Sequence, residues 1–389
     1  MKIFFKIIKW LVIGLASILL LLYLFDVDYL LRAVRTIYFK GYTTAFLEDY
    51  KEFPNRKIEK GIAQPWAMAK DYNTISATET LEKTHQELQT IAYVIIKNDS
   101  VWHESYFDGF DQNSKSNSFS MAKSIVTMAM GKAIMQGKIK SLDQKVTDFF
   151  PELKGKFANE VTVGDLSSMA SGLSWDERYY SPFSIVTRAY FDDDLKKVIL
   201  GLQVNEKPGQ SFNYLSGATE LLAMCIEKAT GEYLSDYVSK NFWQPMGAEN
   251  DALWQLDHAP DGIEKAYCCI ASNARDFARF GKLMKQDGKW NGQQILDSTF
   301  VQKCVTPRFP ESPQYGYGWW MHTVSGKKLY YMRGHLGQFV IVIPEDDVII
   351  VRLGHLKGLQ TETDPHSNDL YVYVDEAYKM LDERGKKQE

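Results

Sequence analysis

Residues 7–25 are apolar apart from Lys9, whose amine can reach a membrane surface while its stem stays among apolar neighbours. About 20 such residues cross a bilayer as a helix, so the run predicts one spanning segment. Its small residues, Gly14, Ala16 and Ser17, lie mid-run, and no good cleavage site follows. An uncleaved anchor is therefore expected rather than a removed secretory signal. Lys2, Lys6 and Lys9 are nearly balanced by Arg32, Arg35 and Lys40 beyond the run. The short basic tail favours an inside tail and an extracytoplasmic, periplasmic bulk. The expected layout is an anchor at 1–27, a helical connector and loop at 28–77, and a folded domain at 78–385.

Within that domain the spacing changes repeatedly. Residues 81–88 keep helical spacing. Ile91-Ala92-Tyr93-Val94-Ile95-Ile96 is a continuous apolar run, which predicts a buried strand. Asn98-Asp99-Ser100 is a turn, and residues 101–107 are the hairpin partner. Residues 120–135 are apolar almost all round, as in a buried helix. Residues 140–310 read as mainly helical, punctuated at Gly172, Pro208-Gly209 and Gly231. Strand patterns return at 316–322, 329–333, 338–343 and 348–353, and a last helix is predicted near 368–381. This order makes an α+β fold. An antiparallel sheet flanked by helices is formed by 78–118 and 316–385, and the part between, 119–315, is mainly helical.

Composition removes several function classes. There are 45 basic and 49 acidic residues with no basic run, so nucleic acid is not an expected partner. The histidines are scattered and no H-E-x-x-H occurs, so neither a metal nor a cofactor is expected. There is no G-x-S-x-G elbow and no phosphate-binding glycine loop. Cys225, Cys268, Cys269 and Cys304 form no C-x-x-C pair and read as small buried hydrophobes. On a strand, adjacent Cys268 and Cys269 would point to opposite faces and be poorly placed to bond each other. A bridge from either to Cys304 stays open. The oligomeric state is not legible.

Ser120-Met121-Ala122-Lys123 carries the chemistry. Residues three apart share a helix face, so Ser120 Oγ and Lys123 Nζ can meet. An amine on an otherwise apolar helix is desolvated, which lowers its pKa and suits it to act as a base. The competing reading, a serine cap and a surface lysine, fits poorly with those apolar neighbours. Tyr214, in Phe212-Asn213-Tyr214-Leu215-Ser216-Gly217, is a phenol at a loop-to-helix junction, suited to relaying a proton. Arg333-Gly334-His335-Leu336-Gly337-Gln338 opens a strand whose glycines let a substrate approach the backbone. The N–H groups of Gln338 and Ser120 would form an oxyanion hole.

In these motifs the chain resembles the serine β-lactamase-like hydrolases of the penicillin-recognising fold. That family includes class C β-lactamases, D,D-peptidases, esterases and 6-aminohexanoate-dimer hydrolases. Ser120 and Lys123 match its S-x-x-K. Tyr214 stands where class C-like members carry the Tyr of Y-x-N, and His335-Leu336-Gly337 occupies the K-T-G position. Residues 163–173 and 271–281 match as well. Two positions depart from the pattern: Ser216 replaces the Asn of Y-x-N, and His335 replaces the K-T-G lysine. The second removes a partner for a substrate carboxylate. Ser174-Trp175-Asp176-Glu177-Arg178-Tyr179 is similar to the aminohexanoate-dimer branch, and the resemblance implies that Tyr179 contacts the substrate amide.

The expected function is hydrolysis of a small-molecule ester, amide or peptide through an acyl-enzyme, with the membrane as a further partner through the N-terminal helix. Ser120 is the expected nucleophile, and Lys123 and Tyr214 the base and acid. Gln338, Gly337, His335, Ser216 and Tyr179 are the expected oxyanion and substrate contacts. D,D-peptidase or β-lactamase activity is the alternative among enzymes. A catalytically silent binding or sensor protein is the alternative outside them.

Overall fold

A computed structural model describes residues 1–361 and 363–388. Helix α1 (Lys2–Leu24) has no buried residue. It is long and apolar enough to cross a membrane, by length and composition. Helix α2 (Tyr29–Thr36) follows, then a loop and strand β1 (Asn55–Ile58).

The main sheet has seven strands. In chain order they are β2 (Ala67–Met68), β3 (Thr90–Lys97), β4 (Ser100–Tyr106), β10 (Trp320–Val324), β11 (Lys327–Gly334), β12 (Gln338–Ile343) and β13 (Val348–Gly354). Their spatial order is β10-β11-β12-β13-β3-β4-β2, antiparallel except for the β2–β4 pair. Two stretches far apart in sequence meet where β13 pairs with β3, Ile350 opposite Ile95. Alternate side chains serve opposite faces. Val94, Ile96, Val340 and Val351 join one apolar cluster, while Tyr93, Ile95, Ile341 and Ile350 join the other. Helices α3 (Glu79–Glu87) and α12 (Asn368–Gln388) cover the second face. On the first lie α4 (Met121–Met135) and α10 (Ala274–Lys285). The α+β expectation is met.

The intervening part is less purely helical than its pattern implies. It holds α5 (Val163–Ser167), α6 (Ile185–Phe191), α7 (Leu195–Leu200), α8 (Ser216–Thr230), α9 (Leu234–Val238) and α11 (Ser298–Cys304). A second sheet also runs through it, in the order β1, β6 (Ala252–Gln255), β7 (Ile270–Ser272) and β5 (Ser116–Asn117). A small hairpin joins β8 (Lys289–Trp290) to β9 (Gln293–Gln294). These strands have two to four residues, too short to show an alternation.

The cysteine expectation needs one correction. Cys268 and Cys269 form a disulfide with each other. The chain is not a strand there: Cys269 has φ +79°, and β7 begins only at Ile270. The argument from opposite strand faces therefore does not apply. Cys225 and Cys304 are free and buried, as expected.

Residues 28–77 are built into the body. Tyr29, Ala33, Ile37, Phe46 and Leu47 are buried in the larger apolar cluster. Asp49 is fully buried and accepts hydrogen bonds from Asn117 Nδ2 (2.9 Å), Gln255 Nε2 (2.8 Å) and the Tyr190 hydroxyl. Losing one large core side chain typically costs about 2–5 kcal/mol, and a whole domain is stable by only about 5–15 kcal/mol. A chain beginning at residue 26 should keep the melting temperature of the full chain. One beginning at residue 48 should lose its cooperative transition and bind a hydrophobic dye. Near-UV circular dichroism melting checks both, and cooperative melting of the shorter chain within a few degrees would show the connector to be peripheral.

Candidate active site

The position of Ser120 is set by an abrupt turn. Strand β5 ends at Asn117, and Phe119 takes φ +45°, a left-handed conformation costly for a bulky residue. The Asn117 side chain accepts the Phe119 N–H at 2.8 Å and holds the turn. Strain kept in place by surrounding contacts is frequent at functional sites. Here it presents Ser120 as the residue that caps α4.

One turn on, Lys123 is buried at 2% exposure among the apolar residues of α4. Its Nζ lies 2.9 Å from Ser120 Oγ and donates to the Tyr267 carbonyl at 2.7 Å. Burial pushes the amine down to about 8, and the Glu177 and Glu220 carboxylates oppose that shift. The Tyr214 ring lies 5.2 Å from the same nitrogen. Burial raises the Tyr214 pKa, a hydrogen bond with Ser120 lowers it, and Glu177 raises it further. The net shift is upward, so the group is a neutral phenol near pH 7, ready to donate.

Two carboxylates escaped the sequence reading. Glu177 accepts from the backbone N–H of Ser216 (2.9 Å), the hydroxyls of Ser216 and Tyr179, and the Trp175 indole (2.6 Å). All four are donors, an arrangement suited to an ionised carboxylate, and the first sits at the N-terminus of α8. A signal was present: Trp175, Glu177 and Tyr179 alternate, so an extended segment puts them on one side. Glu220 is buried in α8 and accepts the N–H groups of Ala266 (2.6 Å) and Tyr267 (3.3 Å). It fixes the loop whose carbonyl holds Lys123. No local pattern marks it.

His335 follows β11, with its ring stacked on Tyr179 (5.7 Å, 6°) and edge-on to Phe119 (5.5 Å). Burial, with Lys357 adding to it, lowers its pKa to about 4, well below the ordinary histidine value. Behind it Leu336 (φ +61°) and Gly337 (φ +78°) turn the chain into β12. Their carbonyls accept from Nη1 of the buried Arg352 at 2.8 and 2.9 Å. The Gln338 side chain is occupied with the carbonyls of His335 and Gly354.

One pocket brings Ser120, Ser216, Tyr179, His335 and Tyr267 to a common space. None of its lining residues is an acid, a lysine or an arginine. His335 Nε2 and the Tyr267 hydroxyl are buried there without a hydrogen-bond partner among the described residues. No metal-holding cluster occurs among the described residues.

Comparison with known proteins bears on the family and the fold. The family model described as Beta-lactamase matches residues 75–370. The 6-aminohexanoate-dimer hydrolase of Paenarthrobacter ureafaciens is 26% identical over 318 residues, covering 72% of this chain and 78% of that protein. A candidate 6-aminohexanoate-dimer hydrolase from Bacillus anthracis superposes with a TM-score of 0.70 at 20% identity, over 88% of this chain and 94% of the other. The D-amino acid amidase of Ochrobactrum anthropi SV3 gives 0.58 at 16%, over 79% and 96%. The two structural likenesses show the fold.

Lys123 can take a proton only when neutral, so kcat/KM on a neutral ester should fall tenfold per pH unit below about 8 and level off above it. Glu177→Gln removes an anion that favours the charged amine, so the limb should move to lower pH. A pH–rate profile of both proteins checks this. A limb that stays in place would detach Glu177 from the titration of Lys123.

Proposed function

The chain belongs to the Beta-lactamase family, whose members are hydrolases, and from that premise we propose that it cleaves an ester or amide through an acyl-enzyme on Ser120. The observation that carries this reading is the buried Lys123 amine, 2.9 Å from Ser120 Oγ with a pKa lowered to about 8. Neutral Lys123 takes the Ser120 proton as Oγ bonds to the substrate carbonyl carbon. The backbone N–H groups of Ser120 and Gln338 receive the oxyanion, since the Gln338 side chain is already used. The carbonyl–leaving group bond then breaks. Tyr214 gives its proton to the leaving group and regains one from the Lys123 ammonium. Water, deprotonated through the same pair, attacks the acyl carbon and releases the acid and free Ser120.

His335, Tyr179 and Ser216 are the substrate contacts in this reading, with Gly337 shaping the turn behind them. Helix α1 serves as a single-pass anchor that keeps the domain on the extracytoplasmic side; its wholly exposed apolar surface supports this. Residues 78–385 form the hydrolase domain, with 28–77 packed into its larger apolar core.

Ser120→Ala should lower kcat at least about a thousandfold and abolish labelling by a fluorophosphonate, with melting unchanged. Lys123→Arg should be nearly as inactive, because a guanidinium stays charged. β-Lactams carry a carboxylate that finds no cation at His335. Losing a charged hydrogen bond costs about 1.5–3 kcal/mol, roughly ten- to a hundredfold. Neutral p-nitrophenyl esters should therefore exceed a chromogenic cephalosporin in kcat/KM by at least about tenfold at pH 7.5. With the imidazole titrating near 4, lowering the pH to 5.5–6 should not restore lactam turnover, whereas His335→Lys should narrow the ratio. Efficient cephalosporin hydrolysis by the unaltered protein would defeat the assignment to esters and amides.

A further inference from the structure

The pocket that holds Ser120 extends away from the catalytic groups and ends between two helices. One wall of that end is Ala33 and Ile37, on and just after α2; the other is Val186, Tyr190 and Phe191 on α6. These side chains are apolar and buried. Tyr214, assigned to the leaving group above, is not part of this lining, and neither are Lys123 and Gln338.

The same two helices are fastened to the foot of α1. Asp26, two residues beyond its end, pairs with Arg188 of α6 and, at 3.5 Å, with Lys197 of α7. The Tyr29 hydroxyl of α2 donates to the Pro182 carbonyl at 3.1 Å. The apolar end of the pocket is thus held against the base of a helix whose own apolar surface is wholly uncovered.

Large aromatic side chains stand open around this region. Phe39 is 80% exposed, Tyr180 76% and Phe183 74%, with Tyr38 and Tyr42 beside them. Tyr38 and Tyr180 also line the pocket. Scattered exposed aromatics need no explanation, but here Tyr38 and Tyr180 line the pocket itself, and Phe39 and Phe183 lie one and three residues along the chain from them. Aromatic rings of this kind settle at the level of lipid headgroups. The absence of any acid, lysine or arginine from the lining excludes a substrate recognised by a charged end inside the pocket.

We propose that the site takes a membrane-borne ester or amide with one uncharged apolar acyl chain. The chain lies between α2 and α6, the carbonyl sits at Ser120, and the aromatic rim rests on the bilayer surface. This rests on the serine hydrolase reading above and names its substrate class.

The test uses the full chain reconstituted in phosphatidylcholine vesicles. It is assayed on p-nitrophenyl acetate, butyrate and octanoate, and on the dodecanoate carried in the same vesicles. Burying one methylene favours binding about fourfold. From acetate to octanoate kcat/KM should rise at least about a hundredfold, allowing for incomplete burial. Ile37→Trp should cut the octanoate-to-acetate ratio at least tenfold. Val186→Trp, from the opposite wall, is the second variant in case the first fails to fold. Phe39→Ser with Phe183→Ser should lower turnover of the vesicle-borne ester relative to soluble octanoate by at least tenfold. Ser120-dependent acetate hydrolysis without a gain at octanoate, or ratios that neither wall variant moves, would overturn the inference and leave the hydrolase reading standing. No ester hydrolysis and no fluorophosphonate labelling would overturn both.

Discussion

A buried amine that must be satisfied without a carboxylate in contact is the constraint around which this site is arranged. Lys123 has two hydrogen-bond partners in the protein, Ser120 Oγ and the Tyr267 carbonyl. Neither is an anion. A carboxylate in direct contact would hold the proton on the amine and remove the base. Glu177 and Glu220 act on Lys123 through space, but their oxygens are taken by other donors. They temper the effect of burial without cancelling it. The outcome is an amine that titrates near 8, where a base can both accept a proton from serine and return it.

Each partner of Lys123 is positioned by a different part of the chain. Ser120 depends on the left-handed Phe119 and on Asn117, which is itself held by Asp49 of the connector. The Tyr267 carbonyl depends on Glu220, inside α8. The N-terminus of that helix is in turn held by Glu177. Arg352 of β13 holds the turn that carries His335. The candidate catalytic groups sit on α4, before α8 and after β11, and buried charged or polar side chains lock their mutual geometry. Removing one partner of such a set leaves another unsatisfied in the interior, which costs more than the hydrogen bond alone.

This division explains what could be read from the sequence. The longer strands of the main sheet, β3, β4 and β10 to β13, and α4 are regular, so apolar spacing reveals them, while the two-residue β2 went unread. The pair Ser120 and Lys123 is local, three residues apart on one helix, and needs no tertiary information. Glu220, Arg352 and Asp49 act over separations of tens to hundreds of residues, and nothing near them in sequence marks their role. The second sheet went unread because its strands are only two to four residues long. The Cys268–Cys269 bond was misjudged because the left-handed backbone at Cys269 is invisible to a pattern of apolar positions. The packing of the connector was not legible because its buried residues, Tyr29, Ala33 and Ile37, find their partners in a distant part of the chain.

The replacement of a lysine by His335 belongs with the rest of the pocket rather than standing alone. An ammonium after that strand would sit among Tyr179, Phe119 and a lining with no acid to balance it. An imidazole fits between the rings, and burial keeps it neutral down to about pH 4. Its unpaired Nε2 leaves one polar contact open without adding charge. Tyr267 does the same from the other side with its unpaired hydroxyl. A site made this way discriminates by shape and by the cost of dehydrating charged groups, since an ion entering it would meet no counter-charge. Lys123 and Glu177 lie outside the lining of this pocket. The surface offered to substrate is left neutral.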